Sequence, residues 1–319
     1  MPGGLWAAKH RRGRERILGG RHSPARMPTG ELAALATALS WAFTGLFFAE
    51  AARRLGALRT NLLRLPLALV LLTLAMLASG PDLAALDGRR LAYLAASGVV
   101  GLVIGDLALF EALRRIGPRL ALLVMALAPV FAAGASLVLL HERPGPMALA
   151  GIAVTLAGVA WVVGERRDGT DAARHDARGI AMALVGAACQ GIGLVLAKAG
   201  MAGEVPALTG TWVRMAAATA LIWALTVASG RGRGLEVASA VRTAWPYVLG
   251  GAVFGPFLGV WMSLVAARLT EVGIAATLMA TTPVLVIPLL MVSERYRPTA
   301  RALTGTAVTV AGVALLFAS

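Results

Sequence analysis

Residues 149–160 read LAGIAVTLAGVA and residues 303–314 read LTGTAVTVAGVA, identical at nine of twelve positions. Alanine-rich helices resemble one another by composition, so rarer residues give the sharper test. Arg64 and Arg214 each enter an apolar run that ends in Ala-Ser-Gly, Gly101 and Gly105 answer Gly255 and Gly259, and Pro129 answers Pro283. Rare residues recurring in the same order are the mark of an internal duplication, and the fold must be one that a single unit builds twice.

The chain outside these segments fixes the class. It has 319 residues, of which 58% are hydrophobic and 14% charged, with a mean hydropathy of +0.76. Soluble domains carry about 25% charged residues, and a membrane span needs about 20 predominantly apolar ones. Runs of that length are expected as helices near 30–50, 59–79, 91–113, 118–140 and 146–164, then 178–200, 207–229, 243–267, 272–292 and 298–318. The expected fold is an all-α integral membrane protein of about ten transmembrane helices, arranged as two inverted five-helix repeats at 29–164 and 178–319. Short loops make sequential helices antiparallel, and an odd number per repeat turns the second over.

Loop arginines follow that inversion. They favour the first, third and fifth connections (Arg53, Arg54, Arg59; Arg114, Arg115, Arg119; Arg166, Arg167, Arg174, Arg178), then their counterparts in the second copy (Arg231, Arg233, Arg242; Arg295, Arg297, Arg301). Taken literally this charge places both termini outside. The basic tail at 1–28 pulls the first helix the other way; it reads as disordered, has no apolar core for a secretory signal, and leaves Met27 as an alternative start. A polar linker at 165–177 divides the halves.

The net charge of +14 is therefore loop charge selected by insertion, and no nucleic-acid partner is expected. A lone Cys189 excludes an intrachain disulfide and a thiolate cluster. His10, His22, His141 and His175 fall in tail or loops, and no HExxH, GxSxG or phosphate loop occurs, so neither enzymatic chemistry, a cofactor nor a metal is expected. Active pumping would draw on an ion gradient.

Polar residues inside the apolar runs are the candidate site. Asp106, in VIGDLALF, is too costly in lipid to lack a partner, a cavity or a proton to carry. Glu111 needs only its surface partner Arg115. Gln190 lies mid-helix with Lys198 on its stripe, Trp41 is its counterpart in the first half, and Gly191 and Gly193 would permit local unwinding. Arg64 and Arg214 lie one to two turns into their helices and are further candidates for substrate contact or coupling. Pro129, Pro283 and Pro288 remove helical hydrogen bonds and are hinge candidates. Asp106→Asn is expected to abolish any proton coupling and to preserve folding.

The repeat, the proline in each fourth helix, the His141-Glu142-Arg143 and Ser293-Glu294-Arg295 turns and the glycine-rich fifth helices together resemble the EamA-type proteins of the drug/metabolite transporter superfamily, over about 30–318. The resemblance implies a multi-pass carrier of the bacterial inner membrane with cytoplasmic termini and a central cavity. It also implies export of amino acids or related small metabolites, with protons as a partner if transport is coupled. Flipping of a lipid-linked intermediate, or a non-transporting scaffold, are the alternatives.

Overall fold

A computed structural model describes residues 29–80, 83–139, 145–163, 176–202, 205–230, 237–269, 278–293, 295 and 297–317. The N-terminal tail, the His141-Glu142-Arg143 turn, Glu294 and all but the end of the 165–177 linker lie outside them. Among the described residues every regular element is helical, as lipid requires of a chain that must satisfy its backbone internally. Within the described residues seven helices are long and apolar enough to cross a membrane, and three shorter apolar helices accompany them.

The first half comprises α1 (Thr29–Leu55), α2 (Ala57–Ser79), α3 (Gly88–Gly98), α4 (Asp106–Met125), α5 (Ala128–Leu139) and α6 (Pro146–Val163). The second comprises α7 (Ala177–Gly200), α8 (Ala207–Ala228), α9 (Val237–Ala252), α10 (Val260–Leu269), α11 (Thr282–Ser293) and α12 (Ala300–Phe317). Helix α2 shows which way these elements face. Its buried side holds Asn61 and Arg64, while Val70, Leu74 and Leu77 stand 55%, 58% and 67% exposed on one helical stripe. Polar groups inside and leucines outside invert the order of a soluble protein and place that stripe against lipid.

The expected boundaries shift in an informative way. The third helix runs from α3 through a π-helical turn at Val99–Gly105 into α4, and its counterpart runs from α9 through a π turn at Val253–Gly259 into α10. The gap expected near residue 117 is a break within α4, where Gly117 adopts φ 73° ahead of Pro118. The helix expected at 118–140 is broken again at Ala126–Leu127. Pro129 and Pro283 therefore sit in the first turns of α5 and α11, where a missing N–H removes no helical bond. They begin helices; they do not weaken the interior of one, as the sequence had suggested.

Helices α6 and α12 carry the opening sequence match, and they pack on each other reciprocally. A Cβ at Gly158 would stand 2.5 Å from Thr309 Oγ1, and one at Gly312 would stand 2.5 Å from Thr155 Oγ1. Each threonine hydroxyl turns back on its own helix, Thr155 to Gly151 O at 2.7 Å and Thr309 to Gly305 O at 2.8 Å, leaving its flank smooth for the facing glycine. Such small-residue contacts drive helix association where lipid is as apolar as the side chains. Gly158→Val and Gly312→Val are each expected to cost about 1–3 kcal/mol, read as earlier thermal unfolding in detergent; wild-type unfolding in both would refute the contact.

Much of the remaining packing crosses between halves. On α1, Ser40 Oγ donates to Phe254 O at 2.6 Å and Thr44 lies against Gly255. On α7, Gly193 lies against Gly101 while Ser97 Oγ donates to Gly193 O at 2.5 Å. The opening helix of each half thus seats on the π turn of the other. At the boundary, Asp176 caps α7 and accepts from Arg115 at 2.7 Å, which holds its carboxyl below the usual range. Arg115 also donates to Glu111 at 2.5 Å, the surface pair expected from the sequence.

Candidate functional site

Where the halves meet, a cavity of about 320 Å³ opens between α1, α2, α4, α5, α7, α8, α10, α11 and the two π turns. That is the lower end of the range for small-molecule pockets. Trp41, Arg64, Asp106, Gln190, Arg214, Pro129 and Pro283 all line it. Lys198 and Pro288 do not. Lys198 is exposed in the last turn of α7, about 12 Å along the helix from Gln190. Pro288 is five residues beyond Pro283, hence on another face of α11, and is exposed.

Both Asp106 oxygens have partners. Its Oδ2 pairs with Arg64 Nη2, and its Oδ1 accepts from Gln190 Nε2 at 2.7 Å. The π turn explains the rest of the cluster. In a regular helix the Asp106 N–H would bond Leu102 O, but here it reaches Gly101 O and Val103 O, which leaves the Leu102 carbonyl without its helical donor. Asn61 Nδ2 donates to Leu102 O at 2.9 Å and Arg64 Nη2 at 3.4 Å, while Arg64 Nε donates to Asn61 Oδ1 at 2.9 Å. Phe48 and Phe110 flank the guanidinium, their ring centroids 5.5 and 5.1 Å from its carbon. Arg64 is held by a carboxylate, an amide, a carbonyl and two rings.

Arg214 occupies the matching place in the second half without any of that support. Thr211 stands where Asn61 does, and its hydroxyl bonds Ala207 O at 2.9 Å; Val260 stands where Asp106 does. Arg214 is 8% exposed and its Nε has no hydrogen-bond partner. Among the described residues it makes no ion pair, although Asp106 acts on it at longer range. Its Nη2 lies close to Gly101, as does Gln190 Oε1, in room that the missing side chain provides.

Gly191 and Gly193 do not unwind α7, which is continuous; their role is approach, Gly191 to the Ala128 carbonyl and Gly193 to Gly101. The unwinding lies opposite, in the π turns that contain the paired glycines at 101/105 and 255/259. Sequence reading passed over Asn61, Phe48 and Phe110. Asn61 carried a usable signal, a buried-type amide one turn from Arg64 on the same helical face. The rings carried none, because an aromatic in an apolar run is unremarkable.

A chain whose described elements are all helical, with buried charges around an internal cavity and apolar residues outside, is a multi-pass membrane protein. A profile of the EamA-like transporter family matches residues 28–164 and 177–318; the chain belongs to that family, and the two matches are its two repeats. One solved crystal structure superposes with a TM-score of 0.64 at 20% sequence identity, covering 91% of this chain and 96% of the other, which shows a shared fold. No curated protein sequence matches the chain.

Proposed function

We propose that the protein is a secondary transporter that carries a small metabolite out of a bacterial cell across the inner membrane, by alternating access around the central cavity. The observation that carries the reading is the placement of Trp41, Arg64, Asp106, Gln190 and Arg214, drawn from both halves, around one internal space. Buried charge in a membrane helix is expensive and usually marks a substrate or ion path. The inverted arrangement has support from α6 and α12: Gly158 meets Thr309 and Gly312 meets Thr155, so these equivalent helices run antiparallel. Inverted halves exchanging contacts around a fixed site are the arrangement that rocking transporters use. The breaks ahead of Pro129 and Pro283 face the cavity and are where α5 and α11 would bend.

Uptake of a labelled metabolite panel, amino acids included, into proteoliposomes tests this directly, with and without an imposed proton gradient. Wild type should move at least one member, and Gln190→Leu, which removes a bond to the Asp106 carboxylate, should lower that flux on the order of tenfold. Gradient stimulation would bring protons in as a partner. No flux from folded protein, together with flipping of a lipid-linked sugar, would replace the carrier reading with a flippase.

A further inference from the structure

The two halves leave the cavity electrically unbalanced. Its charged lining residues among those described are Arg64, Arg214 and Asp106. Arg64 and Asp106 neutralise each other at close contact, with side chains 4% and 7% exposed. Arg214 is left as one buried cation whose Nε has no partner. An isolated charge in such surroundings costs several kcal/mol even after relaxation, and evolution tolerates that cost where a ligand supplies the missing counter-ion. Building on the carrier reading, we infer that the substrate is a small organic monocarboxylate with an apolar body and no ammonium group, and that Arg214 binds its carboxylate.

Three observations shape this assignment. The imbalance is one positive charge, which a monoanion cancels and a dianionic phosphate would overshoot. The surrounding wall is apolar, including Leu109, Phe110, Leu113, Leu122 and Met125, and suits a hydrocarbon or aromatic body. The third concerns the ammonium of an amino acid. It would need an anionic partner, yet the Asp106 carboxylate already has its charge matched by Arg64 and its other oxygen bonded by Gln190. Gln190 Oε1 lies close to Gly101, as does Arg214 Nη2, and a second cation in the same cavity would be repelled by the guanidinium. In volume, 320 Å³ corresponds to about ten waters, enough for an acid of roughly ten non-hydrogen atoms. A guanidinium favours this chemistry over an ammonium because its fork meets both carboxylate oxygens.

Phenylacetate serves as the probe, compared with its neutral amide phenylacetamide, with the cation phenethylamine, the zwitterion phenylalanine and the dianion phenyl phosphate. Binding is read on the full chain in detergent as a ligand-induced rise in unfolding temperature, and transport by uptake into proteoliposomes. Phenylacetate should bind wild type at least tenfold more tightly than the other four. Arg214→Gln should weaken it about tenfold to a hundredfold, and Arg214→Lys should recover part of the loss. Without ligand, Arg214→Gln should unfold at or above the wild-type temperature, because it removes an unpaired buried charge; a structural arginine would show the reverse.

The inference is overturned if phenylalanine, phenethylamine or phenyl phosphate binds as well as phenylacetate, if Arg214→Gln binds phenylacetate like wild type, or if no probe binds. Phenylacetate binding without flux would leave the anion site standing and remove the carrier reading. Flux of a cation or zwitterion, unchanged in Arg214→Gln, would do the opposite.

Discussion

Asp106→Asn should destabilise the substrate-free protein by about 3–5 kcal/mol, the cost of breaking a buried ion pair from one side. Arg64 would keep Asn61, Leu102 O and its two rings but lose the one carboxylate that contacts it among the described residues. Two buried guanidiniums would then face a lining without a counter-charge. The pair binds α2 to α4, and Gln190 extends it to α7, so the loss should appear as a lower unfolding temperature of the whole domain and not as local fraying. Removing both partners is the sharper control. Arg64→Met with Asp106→Leu takes away the charges together, and most of the stability should return, as it does when buried pairs are replaced by apolar side chains of similar volume. An Asp106→Asn protein as stable as wild type would sink the account. The pair overturns the expectation from sequence that Asp106→Asn preserves folding, so a fall in flux speaks to proton coupling only when normalised to folded protein.

The second large effect concerns Gly98. A Cβ there would collide with the Arg214 carbonyl oxygen and lie 2.9 and 3.0 Å from its carbonyl carbon and Cα. These are backbone atoms in the middle of α8, so no rotamer change relieves the clash. Gly98→Ala should therefore push α3 and α8 apart, at a cost of about 3 kcal/mol, and carry the Arg214 side chain away from the cavity. Gly101→Ala provides the contrast, because its nearest atoms would be Arg214 Nη2 at 3.5 Å and Gln190 Oε1 at 3.7 Å, ordinary contact distances. That variant should fold like wild type. Thermal unfolding of the two proteins side by side makes the comparison; equal stability of Gly98→Ala and Gly101→Ala would show that α3 does not rest on the α8 backbone.

The duplication was legible because it is written in residues that composition does not supply by chance, such as the arginines at 64 and 214 and the glycines of the π turns. Asp106, Gln190 and Arg214 stood out for a related reason: a polar group in an apolar run violates the local pattern and so announces that something compensates it. The compensation itself was not legible. Nothing near Asp106 in sequence says that its partner is Arg64, since that contact joins residues 42 apart. The helix boundaries failed at residues 99–105 and 126–127 because π turns and short breaks preserve hydrophobicity while changing the backbone, so the apolar run continues through them. Lys198 was misplaced by the opposite limitation. Helical phase puts it on the same stripe as Gln190, but phase says nothing of depth, and two turns were enough to carry it out of the cavity.

The exchange of opening helices between the halves has a consequence for biogenesis. Ser40 on α1 reaches its partner Phe254 across 214 residues of chain. At about 5–20 residues per second, a ribosome would need about 10–40 s after making α1 to produce the surface on which α1 finally rests. During that interval the Phe48 and Ser40 face of α1 must be sheltered by lipid, by the insertion machinery or by transient neighbours. The nascent first half is thus an open intermediate, closed only when α9 and α10 arrive from the far end of the message.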